Sequence, residues 1–190
     1  MTTPRLKRPP TYVELRSPRD STVRNLSAVI IAKNESPRIE KCIESVRFCD
    51  EVLVVDNGST DDTVTRSKKS GATVISADGN FSELRMVGMK KAGGRWVLYI
   101  DADEVVTPEL REEIRWITSQ STGNRKHLDG LDKEQIAEGT PRESELVHDG
   151  YFIQRKNFYL GQPWPTHDRM QRLFLKSSFV RWFGDVHETA

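Results

Sequence analysis

Trp96-Val97-Leu98-Tyr99-Ile100-Asp101-Ala102-Asp103-Glu104 is the stretch whose reading decides the fold. Five apolar or aromatic residues run without a break, and two carboxylates follow, one residue apart, with a third acid behind them. A short unbroken apolar run is what a strand buried on both faces of a sheet requires. An unpaired carboxylate does not stay inside such a strand, because its burial is very costly. Asp101 and Asp103 are therefore expected to emerge at the strand's carboxyl end, the edge where open α/β sheets bind ligands. Alternate residues of an extended chain point the same way, so the two carboxylates can share one target. A divalent cation held by hard oxygens, with a phosphate on its far side, suits that pair. The competing reading is an acidic turn that caps the next helix.

Working outward, the same pattern recurs. Leu26-Ser27-Ala28-Val29-Ile30-Ile31-Ala32 reads as a first buried strand ending in Lys33-Asn34-Glu35. Ser36-Pro37 then looks like a helix cap followed by a proline in the first turn, and Ile39, Cys42, Ile43 and Val46 recur at helical spacing. Glu51 to Val55 reads as a second strand ending in Asp56-Asn57-Gly58-Ser59-Thr60-Asp61-Asp62. Thr60 is the expected cap of the next helix, with Asp61 and Asp62 in its first turn. Those roles account for Gly58 to Asp62 but not for Asp56. Ser70-Gly71 stops that helix, and Ala72 to Ile75 is a short third strand.

Asn80-Phe81-Ser82-Glu83 has the form of a capping box, with Phe81, Leu84 and Gly88 marking a packing face. Arg85 lies one turn in, where an arginine reaches a phosphate or else stays solvated. Gly93-Gly94 ends this helix before the central strand. Thr107-Pro108 opens another, with Leu110, Ile114 and Ile117 inward. Strands alternating with helices predict an α/β fold, a mostly parallel, doubly wound sheet flanked by helices. Parallel strands would bring Asn34-Glu35, Asp56 and Asp101-Asp103 to one edge.

The remaining segments differ in character. Residues 1–24 carry four prolines and an excess of arginine and lysine, and read as a flexible basic tail, a solvated leader or an arm that touches anionic lipid. Residues 118–150 are polar, without period, and read as an insertion or lid, in which His127 and His148 read as solvated. From Tyr151 a smaller, mixed β region is expected. Tyr151 to Arg155 and Arg172 to Leu175 form its strands, and Phe158, Tyr159, Trp164, His167 and Asp168 lie between them. His187-Glu188 near the end pairs a soft ligand with a possible base.

Composition sets limits. A chain of 190 residues suits one domain, here residues 25–190. The net charge of +1 gives no field that would favour nucleic acid. No apolar run has the length of a transmembrane helix. Cys42 and Cys49 match no zinc or redox spacing, and Cys42 falls among core positions. A cytoplasmic location is the default, with the inner face of the membrane as the variant that the basic tail suggests.

Val29-Ile30-Ile31-Ala32-Lys33-Asn34-Glu35, Val54-Val55-Asp56-Asn57-Gly58-Ser59-Thr60-Asp61 and Ile100-Asp101-Ala102-Asp103-Glu104 together resemble the family 2 glycosyltransferases of the GT-A fold, in wording, order and spacing. Gln171-Arg172-Leu173-Phe174 and Val186-His187-Glu188 resemble a branch that includes lipopolysaccharide-core β-1,4-glucosyltransferases. The resemblance implies a metal-dependent, inverting transfer from a nucleotide-diphosphate sugar, UDP-sugar favoured, to a hydroxyl of a glycan or glycolipid, with peripheral membrane contact. It implies that Asp56 recognises the base, that Ala32, Asn34, Glu35 and Ala102 line the nucleotide pocket, and that Arg85 lies near the nucleotide. Asp101 would face the ribose and a Mg²⁺ or Mn²⁺, and Asp103 and His187 would bind the metal. Asp168 and Glu188 are both candidates for the base that takes the acceptor's proton. Domains of this family usually continue further, so a truncated C-terminus is expected. Two alternatives stand beside this: a nucleotide-sugar-binding module that has lost catalysis, and a haloacid-dehalogenase-like phosphatase, whose acidic nucleophile motif sits on the first strand of its domain.

Overall fold

A computed structural model describes residues 24–120 and 148–182. The basic tail (all but Arg24), most of the polar insertion, including His127, and both His187 and Glu188 lie outside the described residues.

Four strands form the parallel part of the sheet: β1 (Leu26–Ala32), β2 (Glu51–Asp56), β3 (Thr73–Ser76) and β4 (Trp96–Asp101). Helices α1 (Ile39–Ser45), α2 (Thr63–Lys69) and α3 (Phe81–Lys91) connect them, and α4 (Pro108–Gln120) follows β4. Two further strands, β5 (Gly150–Tyr159) and β6 (Gln162–Leu175), form an antiparallel hairpin. The sheet order is β3-β2-β1-β4-β6-β5.

The expected parallel α/β core is present, with each expected strand in place. The expected C-terminal β region is present and joins the same sheet. Its strands extend through the aromatic stretch, and β6 joins β4 antiparallel by Trp96↔Leu175, Val97↔Phe174 and Leu98↔Leu173. The aromatic residues misled because strand pairing, rather than local pattern, decides their backbone. Because β6 runs against β4, the hairpin projects past the carboxyl end of β4.

Alternation along the strands divides the core. Ala28, Ile30, Leu98 and Ile100 pack with Ile39, Cys42, Ile43 and Ile114 on one face. Val29, Ile31, Val97 and Tyr99 pack with Leu84, Met89, Phe174 and Trp182 on the other. Both faces of β1 and β4 are thus buried, as their unbroken apolar runs require. Cys42 is core, and burial pushes its thiol pKa up. α3 lies tight on the sheet because Gly88 has no side chain; a Cβ there would run into the Val29 side chain.

Three local expectations are corrected. Ser36 does not cap α1: residues 36–38 form a turn, the helix starts at Ile39, and the Glu35 carbonyl accepts the Arg38 and Ile39 N–H groups at 2.9 Å each. Thr60 does not cap α2, which starts at Thr63 behind Asp62. Phe81, the first residue of α3, is exposed rather than packed. The capping box at Asn80 and Glu83 is formed in both directions, at 2.9 Å each way.

Candidate functional site

Strand register brings the candidate residues to one edge. Ala32 pairs with Asp56, Ile31 with Asp101, and Asp56 with Ser76. Asp56 and Asp101 therefore lie on neighbouring rungs on either side of β1.

Asp56 is 3% exposed. Its Oδ2 accepts the Ser59 N–H at 3.2 Å. Among the described residues its Oδ1 has no hydrogen-bond partner. A buried acceptor left without a donor is costly, and such a group in a folded protein calls for an explanation.

Asn34 holds the facing loop. With φ of 55°, it donates its N–H to Ser59 Oγ at 2.9 Å, and its Oδ1 accepts the Thr60 N–H at 2.8 Å. Thr60 is thus tied to Asn34 rather than to a helix end. The Glu35 N–H donates to Thr63 Oγ1 at 2.8 Å, and its carboxylate pairs with Arg38 at 3.0 Å. Asp61 accepts the Ser36 N–H and the Thr63 hydroxyl, whose bond leads the effects that hold its pKa far below the usual carboxylate range. Ala32 and Ala102 are buried, so their methyl groups belong to the core.

Asp101 is the centre of a charge network. Arg172 Nη2 donates to its Oδ2 at 2.6 Å and Nη1 to its Oδ1 at 3.2 Å, while Arg85 Nη2 reaches Oδ1 at 3.1 Å. Arg85 is buried at 4% exposure, which excludes a solvated surface role. Its guanidinium lies 5.0 Å from the Trp182 ring centroid, and its carbonyl accepts the Tyr99 hydroxyl at 2.7 Å. Burial alone would raise the Asp101 pKa; the Arg172 hydrogen bonds and charge, with Arg85, outweigh it and hold it low.

The network continues outward. Glu104 Oε1 accepts from Arg172 at 3.0 Å and from Arg155 at 3.4 Å, and burial raises its pKa. Arg155 Nη2 donates to Asp168 Oδ2 at 2.9 Å, and Asn157 Nδ2 donates to the same oxygen at 2.7 Å. Those two bonds, Arg155 first, lower the Asp168 pKa.

Asp103 stands apart. The chain turns at Ala102 and Asp103, so strand alternation does not carry from Asp101 to Asp103. Asp103 is exposed, and among the described residues no hydrogen bond or ion pair holds it. No group of three or more His, Cys, Asp or Glu able to hold a metal exists among the described residues. The described donors would suit a cation bound through the Asp103 carboxylate and completed by a ligand's phosphates, a usual manner for Mg²⁺.

The structure thus brings Asp56, Asp101, Arg85 and Asp103 to one edge, with Asn34 and Glu35 shaping its loops. Asp168 lies on the hairpin beyond. Sequence reasoning missed Arg172, Glu104, Arg155 and Trp182. One signal was present: Arg172 directly precedes the apolar run Leu173-Phe174-Leu175, and a charge bordering a buried strand needs a partner.

Residues 27–124 match the family described as glycosyl transferase family 2. Relatives include an uncharacterised glycosyltransferase of Rickettsia conorii, 42% identical over 111 residues, which make up 55% of this chain and 38% of that protein. Another is the lipopolysaccharide core biosynthesis glycosyltransferase LpsC of Rhizobium meliloti, 33% identical over 93 residues, or 46% of this chain and 34% of that protein. The chain thus spans well under half the length of these relatives. Among solved structures, glucosyl-3-phosphoglycerate synthase from Mycobacterium tuberculosis in complex with Mn²⁺, UDP and glucosyl-3-phosphoglycerate is 27% identical, with a TM-score of 0.44, over 54% of this chain and 41% of that one.

Proposed function

The chain belongs to glycosyl transferase family 2, and we propose that it moves a sugar from a nucleoside diphosphate donor, UDP-sugar in the first instance, to an acceptor hydroxyl with inversion at the anomeric carbon. The observation that carries this reading is the Asp56 carboxylate, buried at the edge and, among the described residues, lacking a donor on Oδ1. A pyrimidine ring N–H would supply that donor. Asp101 is one rung away across β1; in this reading it would face the ribose, and Asp103 would meet the diphosphate with its cation.

In transfer, the acceptor oxygen attacks the anomeric carbon as its bond to the diphosphate breaks. The acceptor's proton passes to a carboxylate on the opposite face. A Mg²⁺ or Mn²⁺ on Asp103 would neutralise charge on the departing diphosphate. Of the two candidate bases, Asp168 is bound by Arg155 and Asn157, with its pKa lowered. A lowered pKa weakens a general base, and this favours Glu188. The name of the Rhizobium meliloti relative supports a glycan or glycolipid acceptor. The phosphatase alternative is set aside, because the acidic motif sits on the fourth strand rather than the first and the family match is to a glycosyltransferase.

Calorimetry on Asp56→Ala tests the base contact. UDP should bind the variant more weakly by about 1–3 kcal/mol, the cost of an unmatched polar partner. Equal UDP affinity in variant and wild type would remove Asp56 from the nucleotide site.

A further inference from the structure

Both carboxylate oxygens of Asp101 are occupied. Arg172 grips them as a fork, Nη1 on Oδ1 and Nη2 on Oδ2, the two-point geometry that a guanidinium makes with a carboxylate and a lysine cannot. Arg85 adds its own bond to Oδ1. Both arginines are 4% exposed, so water does not screen them as it would at the surface. Arg172 reaches Asp101 from β6, one residue before Leu173, which pairs with Leu98. The same Nη2 also contacts Glu104 and Met170, which fixes the side chain on three sides. Asp103, two residues after Asp101, is exposed and outside this grip.

A cation seeking Asp101 would have to displace a guanidinium and stand beside two buried positive charges of its own sign. A cation at Asp103 meets neither obstacle. We propose that Arg172 is a positioning residue that withholds Asp101 from the cation, fixing it as an oriented anion and leaving Asp103 as the carboxylate that meets the metal. The description of this edge as a donor site rests on the glycosyltransferase reading; the Arg172 grip on Asp101 does not. Cation affinity without nucleotide is then kept low, since among the described residues one carboxylate is left to bind a hard cation, and the donor's phosphates would complete the shell.

Replacing Arg172 should produce a gain. In Arg172→Met, Arg85 keeps Oδ1 while Oδ2 is released from its guanidinium and can take a cation. Mn²⁺ titration of the full chain without nucleotide, followed by electron paramagnetic resonance, should show binding tighter by about tenfold, because affinity for a hard cation rises with the count of charged ligands. The double variant Arg172→Met with Asp101→Asn should return to the wild-type value. Arg172→Lys, which keeps the charge but loses the fork, should fall between. Damage to the fold weakens or abolishes Mn²⁺ binding and does not tighten it. A cooperatively melting Arg172→Met whose Mn²⁺ affinity is unchanged or lower would overturn the proposal. If that variant does not fold, an unchanged or lower affinity in Arg172→Lys overturns it instead. A wild-type chain that fails to bind UDP would count against the donor reading, while the Mn²⁺ series still decides the role of Arg172.

Discussion

At the scale of single residues, the acidic positions divide by what holds them. Among the described residues Asp56 keeps a buried oxygen without a donor, Asp101 is gripped by two arginines, and Asp103 is exposed. The sequence placed all three at strand ends, because charge cannot remain inside an apolar run. It did not reveal that Asp101 is neutralised by its own fold, since Arg172 lies 71 residues away and only pairing of β6 with β4 brings it there. Asp168 shows the same limit: its bonds to Arg155 and Asn157 arise from the hairpin. A general base contributes about 10²–10⁴-fold to rate. Single-turnover assays on Asp168→Asn and Glu188→Gln should therefore find the larger loss, of that order, in Glu188→Gln, with donor affinity kept in both. The reverse order would make Asp168 the base despite its ion pair.

At the scale of elements, the legible parts were those with strong local signals. The apolar runs of β1, β2 and β4 and the capping box of α3 were readable because each rests on neighbours in sequence. The starts of α1 and α2 were not. Asn34, Ser36, Thr60 and Asp61 can each cap a helix, but here they bind one another across two loops. Such polar residues choose between local and tertiary partners, and the sequence does not record the choice. The hairpin was half legible, because β6 gains its length from β5. Gly88 gives an element-scale test. Its missing side chain lets α3 close on Val29 of β1. Overpacking at such a contact costs about 1–3 kcal/mol, which for a domain of this size lowers the melting temperature by roughly 2–12 °C. Thermal denaturation of Gly88→Ala should show that loss. An unchanged melting temperature would mean that α3 can withdraw from the sheet at little cost.

At the scale of the whole molecule, the fold gathers the candidate residues at one edge. Parallel strands bring their carboxyl ends together, loops latched by Asn34 and Asp61 fix its outline, and the β5–β6 hairpin extends past it. Among the described residues no helix is long and apolar enough to cross a membrane. A ligand that binds the folded chain alone stabilises it by about 2.7 kcal/mol at a hundred times its dissociation constant, or roughly 5–11 °C for a domain of this size. The most direct measurement is therefore thermal unfolding of the wild-type chain with Mn²⁺ and a panel of nucleoside diphosphates and their sugars. The account predicts a saturable rise in melting temperature with uridine diphosphate compounds, smaller or absent with purine ones. No rise with any nucleotide in the panel would contradict it.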